Sequence, residues 1–182
     1  MSKIKRRLAF FTIPEYKKEE KWLEKLHRSG LKLKKATLPC FYTFEECEPE
    51  DVVYQLDYNE EGMKNKSEYV QMFKDCGWEH ITDMAGYSYF RKPVSEMVED
   101  EGIFSDDASK LDMIRRVFKG RMIPLLFIFF GIIIPQIFIQ SSIDDPLAKV
   151  NLITFIVLFV FYLVLFIKFA IQYVKLKEKV KD

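Results

Sequence analysis

The widest chemical range in this 182-residue chain lies with its three cysteines and two histidines. Cys76 and His80 stand four apart around the end of an apolar helical pattern, and Cys40 and Cys47 flank a strand pattern. Zinc accepts thiolate and imidazole donors of this kind where they converge. None of the spacings is a CxxC knuckle, and Cys76 falls on the apolar face of its helix, so buried free cysteine is the expectation and no metal site is assigned. His27 comes late in a charged helix, where a surface position beside the negative end of the helix dipole is expected. Glu45, Glu46, Glu48, Glu50 and Asp51 gather at one hairpin end. Their chemistry would be acid–base work or cation binding, but an acidic turn without a buried neighbour reads as solvated. No GxSxG elbow, glycine-rich phosphate loop or HExxH pair occurs. No catalytic residue and no cofactor is therefore assigned, and the chain is not read as an enzyme.

The elements that must position these groups follow from local pattern. Leu8–Ile13 reads as a buried strand. Pro14 then suits a first helical position, and Glu15–Ser29 follows as a helix with Trp22, Leu23 and Leu26 on one face, stopped at Gly30. Leu31–Lys35 and Pro39–Glu46 form a hairpin, and Val52–Tyr58 is a fourth strand with Val52, Tyr54, Leu56 and Tyr58 on one face. Asn65 and Glu68 have capping-box spacing for a second helix ending at Gly77. Trp78–Asp83 and Tyr87–Lys92 close the domain as a hairpin around Ala85-Gly86, and Pro93 ends it.

This order contains an internal repeat. Leu23, Leu26 and Gly30 recur as Val70, Phe73 and Gly77, and Phe41–Phe44 is echoed by Tyr87–Phe90. Two strand-helix-strand-strand halves predict an α+β, ferredoxin-like sandwich: one mainly antiparallel sheet with both helices on one face. Tyr42, Phe44, Tyr54, Tyr58, Tyr87 and Tyr89 are candidates for the uncovered face, where exposed rings would bind a ligand or partner. They are also open to being core, or edge packing under the helices, because a register error of one residue swaps the faces.

Residues 122–171 carry two apolar runs, 122–139 and 150–171, each about the ~20 residues a helix needs to cross a ~30 Å hydrocarbon layer. No other strands are available to close a barrel, and the runs have no polar face that a soluble hairpin would show to water. Arg115, Arg116, Lys119 and Arg121 precede the first run, and Lys175 and further lysines follow the second. Basic flanks stay on the cytoplasmic side, which predicts a bacterial cytoplasmic-membrane protein with both termini inside. Lys168 near the inner end is expected to snorkel to the headgroups. Pro124, Pro135 and Gln136 mark a kink, a polar contact with the second helix or tolerated irregularities in the first span.

Before the spans, residues 1–93 make one cytoplasmic domain and residues 94–121 an acidic linker with a juxtamembrane amphipathic helix, N-capped at Ser105; residues 172–182 are a basic tail. Lysine and arginine number 28 against 27 acids, a net charge of +1, which argues against a general nucleic-acid binder. Met1–Arg7 is basic, but Leu8–Ile13 is too short for a signal-peptide core, so no cleavable leader is expected. The odd cysteine count in a cytosolic setting predicts free thiols.

Glu20–Glu24 leading to Gly30, Val53–Asp57, Glu68-Tyr69 leading to Cys76–Glu79, and Phe104–Leu111 together resemble the bacterial family catalogued as domain of unknown function 2812. The resemblance covers roughly residues 5 to 118, with Gly77-Trp78 its most specific piece; Leu31 stands where an aromatic residue is usual. It implies a Gram-positive setting, C-terminal membrane spans and genomic proximity to PadR-type transcriptional regulators, and it implies no reaction. The expected function is a membrane-anchored cytoplasmic sensor or regulator that binds a small ligand or a protein partner. The alternative is an accessory subunit packing on a larger membrane transporter or enzyme, and a third reading is an enzyme using an unrecognised site. The expected contacts are the lipid bilayer, a protein partner and a small molecule, not nucleic acid.

Overall fold

The computed structural model describes residues 3–58, 65–97, 102–104 and 107–180. Ser105, expected as an N-cap, lies outside them, as do Glu99, Asp100 and Glu101 of the acidic stretch. The chain divides into two compact units, Met1–Met113 and Ile114–Asp182.

The first unit runs β1 (Ile4–Leu8), α1 (Tyr16–Arg28), β2 (Leu31–Thr37), β3 (Phe41–Glu46), β4 (Val52–Tyr58), α2 (Lys66–Asp75), β5 (Glu79–Met84) and β6 (Tyr87–Pro93). The order strand-helix-strand-strand therefore occurs twice. In each half the third strand lies in the middle: β1-β3-β2 form one antiparallel sheet and β4-β6-β5 the other. The expectation of one continuous sheet is corrected to two three-stranded sheets. Their neighbouring strands β2 and β5 each carry an irregularity, between Leu33 and Lys35 and between His80 and Thr82. An extra residue in a strand bends it and interrupts a regular ladder, so the two strands approach without pairing.

The helix α1 begins after Thr12, whose N–H and hydroxyl both donate to the Glu15 carboxylate, with Pro14 in the opening turn. Its buried stripe is Tyr16, Glu19, Glu20, Leu23 and His27, a 3.6-residue period; Trp22 and Leu26 are only half-buried. Asn65 precedes α2 but its side chain makes no cap bond, contrary to the capping-box expectation. Ala85 (φ 55°) and Gly86 (φ 82°) both have positive φ, the signature of a type I′ turn, and a Cβ at Gly86 would lie 2.6 Å from Tyr58 Cε2.

The face of β4 and β6 bearing Val53 and Phe90 is covered by α2, where Tyr69, Phe73, Trp78 and Phe90 form a ring cluster with Ile103 against it. The Ile103 N–H also donates to Gln55 Oε1, so the compact unit continues past Pro93.

Helical backbone runs without a break over Asp107–Ser141, whose first residues belong to the first unit, and again over Pro146–Lys179 in the second. Both helices are long and apolar enough to cross a membrane, and only 17% and 6% of their most apolar windows are buried in the protein. The first is α3 (Asp107–Val117), a π-turn at Phe118–Met122, α4 (Ile123–Ile128), a second π-turn at Phe129–Ile133 and α5 (Ile134–Ser141). Each π-turn sits just before a proline, Pro124 or Pro135. Proline removes a helical N–H and crowds the carbonyl four residues earlier; widening the preceding turn lets the helix continue. The long α6 (Pro146–Lys179) is N-capped by Asp145, which accepts from the N–H groups of Leu147 and Ala148 at 2.9 and 3.3 Å. The connection between the helices is thus shorter than the polar segment Gln140–Lys149 suggested.

Candidate functional site

All six rings expected on an open sheet face are buried: Tyr42, Phe44, Tyr54, Tyr58, Tyr87 and Tyr89. The register explains the correction. In the first sheet Tyr42 and Phe44 share the face packed against Trp22 of α1, at centroid distances of 5.0 and 5.7 Å. The pleat turns β3's other residues outward, with Phe41 exposed and Thr43 and Glu45 half-buried. The rings are core, the alternative that the alternation had left open.

The helix α1 ties the two sheets together through polar groups. Glu19 Oε1 accepts hydroxyls from Tyr42 on β3 at 2.6 Å and from Tyr89 on β6 at 2.5 Å. Burial pushes the Glu19 carboxyl above its ordinary range, against the pull of the two phenols. Glu20 Oε1 accepts the Leu56 N–H at 2.9 Å while its other oxygen meets Lys17 Nζ at 2.9 Å. Glu24 Oε1 receives the Tyr54 N–H at 3.4 Å. The outer edge of β4 is therefore capped by carboxylates one helical turn apart.

The same helix delivers His27 to a cleft of about 250 Å³ at the junction of the two sheets. His27, Lys32, Cys47, Glu50, Glu79 and Arg91 are among the residues lining it. His27 is 4% exposed, not on the surface as its charged helix suggested. Its Nδ1 lies 2.8 Å from the Tyr54 hydroxyl, which accepts the Leu33 N–H at 3.2 Å. Burial, reinforced by the Arg91 and Lys32 charges, lowers the imidazole to about 4. It is consequently neutral near pH 7, with Nδ1 accepting from Tyr54 and Nε2–H directed toward Glu50, 4.0 Å away.

Arg91 completes the junction. Its Nε and Nη2 meet Glu79 at 2.6 and 2.9 Å, a two-point carboxylate pair across the β5–β6 ladder, and Nη1 reaches the Leu33 carbonyl on β2 at 3.3 Å. One guanidinium thus bonds both sheets. Gly30, with φ +85°, closes α1 where the Cys47 N–H donates to the Gly30 carbonyl at 3.0 Å. A Cβ there would lie 3.0 Å from the Cys47 carbonyl oxygen, so the tight approach that seats Cys47 at the cleft needs glycine.

The remaining sequence candidates fall elsewhere. Cys76 is exposed beyond α2 rather than buried, its carbonyl accepting from Lys92 Nζ at 3.0 Å, and His80 is engaged with Asp83 at 2.9 Å. Among the described residues no group of three His, Cys, Asp or Glu side chains could hold a metal ion. Of the hairpin-end acids, Glu46 pairs with Lys5, Glu45 with Lys34, and Asp51 with Arg28, while Glu48 and Glu50 line the cleft. In the second unit Arg115, Lys119, Lys168 and Lys175 are exposed, and Arg116 and Arg121 half-buried.

Arg91, Glu19 and Glu20 went unrecognised as site residues in the sequence. The signal for the two acids was their place in the period Tyr16, Glu19/Glu20, Leu23, His27. For Arg91 it was the Ala85-Gly86 turn, which sets β6 against β5 and brings Arg91 opposite Glu79.

No curated protein and no solved structure matches the chain. A family profile does match, over residues 15–128, from the start of α1 to the end of α4. That span includes α1, His27, Tyr54, Glu79 and Arg91, and takes up more than half of the chain. The chain belongs to the family described as protein of unknown function (DUF2812).

Proposed function

We propose that the chain is a membrane-anchored cytoplasmic regulatory module whose ligand site is the junction cleft, with both termini inside and the two apolar helices as its anchor. The observation that carries the reading is Arg91, bonded at once to Glu79 in one sheet and to the Leu33 carbonyl of the other. A small polar ligand entering between Lys32, Glu50 and Arg91 would compete for those bonds and bias how the two sheets meet. That is the differential contact a sensor needs. His27, neutral and buried, offers a fixed hydrogen-bond donor at the base of the cleft. The order strand-helix-strand-strand, which occurs twice, fits this role, since two three-stranded sheets meeting at one seam give a junction that ligand binding can adjust. PadR-type regulators, whose proximity the family resemblance implied, remain one class of downstream partner.

The experiment is a thermal-shift screen of the full chain in detergent against a panel of small polar metabolites, run alongside the Lys32→Ala and Arg91→Gln variants. A hit whose stabilisation disappears in the Lys32→Ala variant supports the reading. No stabilisation by any compound, together with stoichiometric co-purification of a larger membrane protein, would establish the accessory-subunit alternative instead.

A further inference from the structure

The face of the first sheet turned away from α1 is built in rows. The strand register sets Leu8 beside Phe41 and Phe41 beside Thr37 in one row, and Arg6, Thr43 and Lys35 across the next. Side chains two residues apart on a strand lie about 7 Å from each other on the same face, so an apolar row and a basic row run side by side. Leu8 is 68% and Phe41 48% exposed, and Phe10 and Leu38, at 67% and 63%, extend the apolar end beyond the strands. Arg6 and Lys35 are exposed and make no ion pair among the described residues.

We infer that this face docks on an anionic bilayer surface. The inference rests on the membrane-anchored reading for its geometry: a domain tethered to a bilayer meets that surface at a high effective concentration, so modest contacts suffice. Large exposed apolar side chains beside unpaired cations match the two layers of a membrane interface, with Leu8, Phe10, Leu38 and Phe41 at the acyl boundary and Arg6 and Lys35 among the phosphates. A second copy of the same face would oppose Arg6 and Lys35 with like charge. An acidic protein surface would leave the apolar row unmatched. The cis Leu38–Pro39 peptide lies in the turn that presents Leu38.

The test uses the full chain in nanodiscs of phosphatidylcholine alone or mixed with phosphatidylglycerol. Cys40, Cys47 and Cys76 are replaced by serine, and Leu38→Cys carries a polarity-sensitive fluorophore; the melting temperature checks that the fold persists. The expected result is blue-shifted emission, quenched by lipid-borne quencher, in anionic discs only. The shift should reverse in the Arg6→Glu/Lys35→Glu variant and at roughly 1 M salt, where the screening length is about 3 Å. A chain that enters the disc while its fluorophore stays water-like overturns the docking and leaves the anchor intact. A chain that stays out of discs but whose fluorophore moves into anionic vesicles keeps the docking and removes the anchor. A shift seen only with two chains per disc assigns the face to a second copy and overturns the inference.

Discussion

The hydroxyl of Tyr89 on β6 meets Glu19 Oε1 on α1 at 2.5 Å, and the Tyr42 hydroxyl from the other sheet meets the same oxygen at 2.6 Å. A single buried carboxylate oxygen therefore joins both sheets to the helix between them. Tyr89→Phe leaves that carboxylate with one phenol and should cost about 1.5–3 kcal/mol at pH 7, the range for hydrogen bonds to charged groups. The sign with pH is fixed by burial, which holds the folded Glu19 above the 4.5 of the open chain. The charged form is the disfavoured one, so its cost is present at neutral pH and relieved as pH falls through the folded value toward 4.5. Urea unfolding by near-ultraviolet dichroism should show a smaller Tyr89→Phe penalty at pH 5 than at pH 7. An equal penalty at both would mean that Glu19 does not titrate as described.

His27 works in the opposite direction. Its folded value of about 4 lies below the 6.5 of the open chain, so the unfolded state takes up the proton first. Stability from the neutral imidazole is complete above pH 6.5 and declines as pH falls from 6.5 to 4, by at most about 3 kcal/mol. His27→Asn keeps an acceptor for the Tyr54 hydroxyl but cannot titrate. Its unfolding free energy should fall less steeply than the wild type's between pH 6.5 and 4. Parallel pH profiles for the two proteins would overturn the assignment of a neutral His27.

The edge of β4 gives a third test. Glu20 accepts the Leu56 N–H at 2.9 Å and Glu24 the Tyr54 N–H at 3.4 Å, in place of a neighbouring strand. Glu20→Ala removes the shorter bond and should speed hydrogen exchange at Leu56 by about tenfold or more, taking roughly 1.4 kcal/mol or more as the loss. Exchange at Gln55, whose N–H belongs to the β4–β6 side of the strand, should change little. If Leu56 exchanges as slowly as before, water or backbone has replaced the carboxylate and the capping role is wrong.

Much of the fold was legible because local pattern and tertiary packing agree there. The α1 boundaries, the Gly77 end of α2, the Val52–Tyr58 strand and the Ala85-Gly86 turn all follow from residues whose preferences the packing respects. The facing of the aromatic residues stayed open for one reason: Tyr42 and Phe44 alternate with Phe41 and Thr43, and both sets contain rings. Alternation marks a strand but does not say which set faces in when either would do. His27 was expected at the surface, and Glu19 and Glu20 were not singled out, because charged helical residues ordinarily face water. Here phenols and strand-edge N–H groups from distant parts of the chain satisfy them, and no window of sequence contains those partners. The junction cleft depends on where two sheets stop pairing, which only the bulges at β2 and β5 hint at.

The packing of the two apolar helices gives a last expectation. Phe129 lies in the π-turn before Pro135, with ring centroids 5.1 Å from Phe159, 5.4 Å from Phe166 and 6.1 Å from Tyr162 on α6. Two residues on, a Cβ at Gly131 would have nothing within 4 Å. Phe129→Ala should therefore loosen the hairpin and Gly131→Ala should not. The loss should fall below the about 3–5 kcal/mol typical of Phe→Ala in a water-soluble core. In the proposed membrane setting lipid tails are as apolar as the ring they replace, so packing rather than water exclusion would supply the energy. Titration of the full chain from mild detergent into dodecyl sulfate, followed by tyrosine dichroism, should shift the Phe129→Ala midpoint downward while Gly131→Ala tracks the wild type. Equal shifts for both would mean that the stack does not hold the helices together. An unchanged Phe129→Ala midpoint would place the hairpin's cohesion elsewhere along α5 and α6.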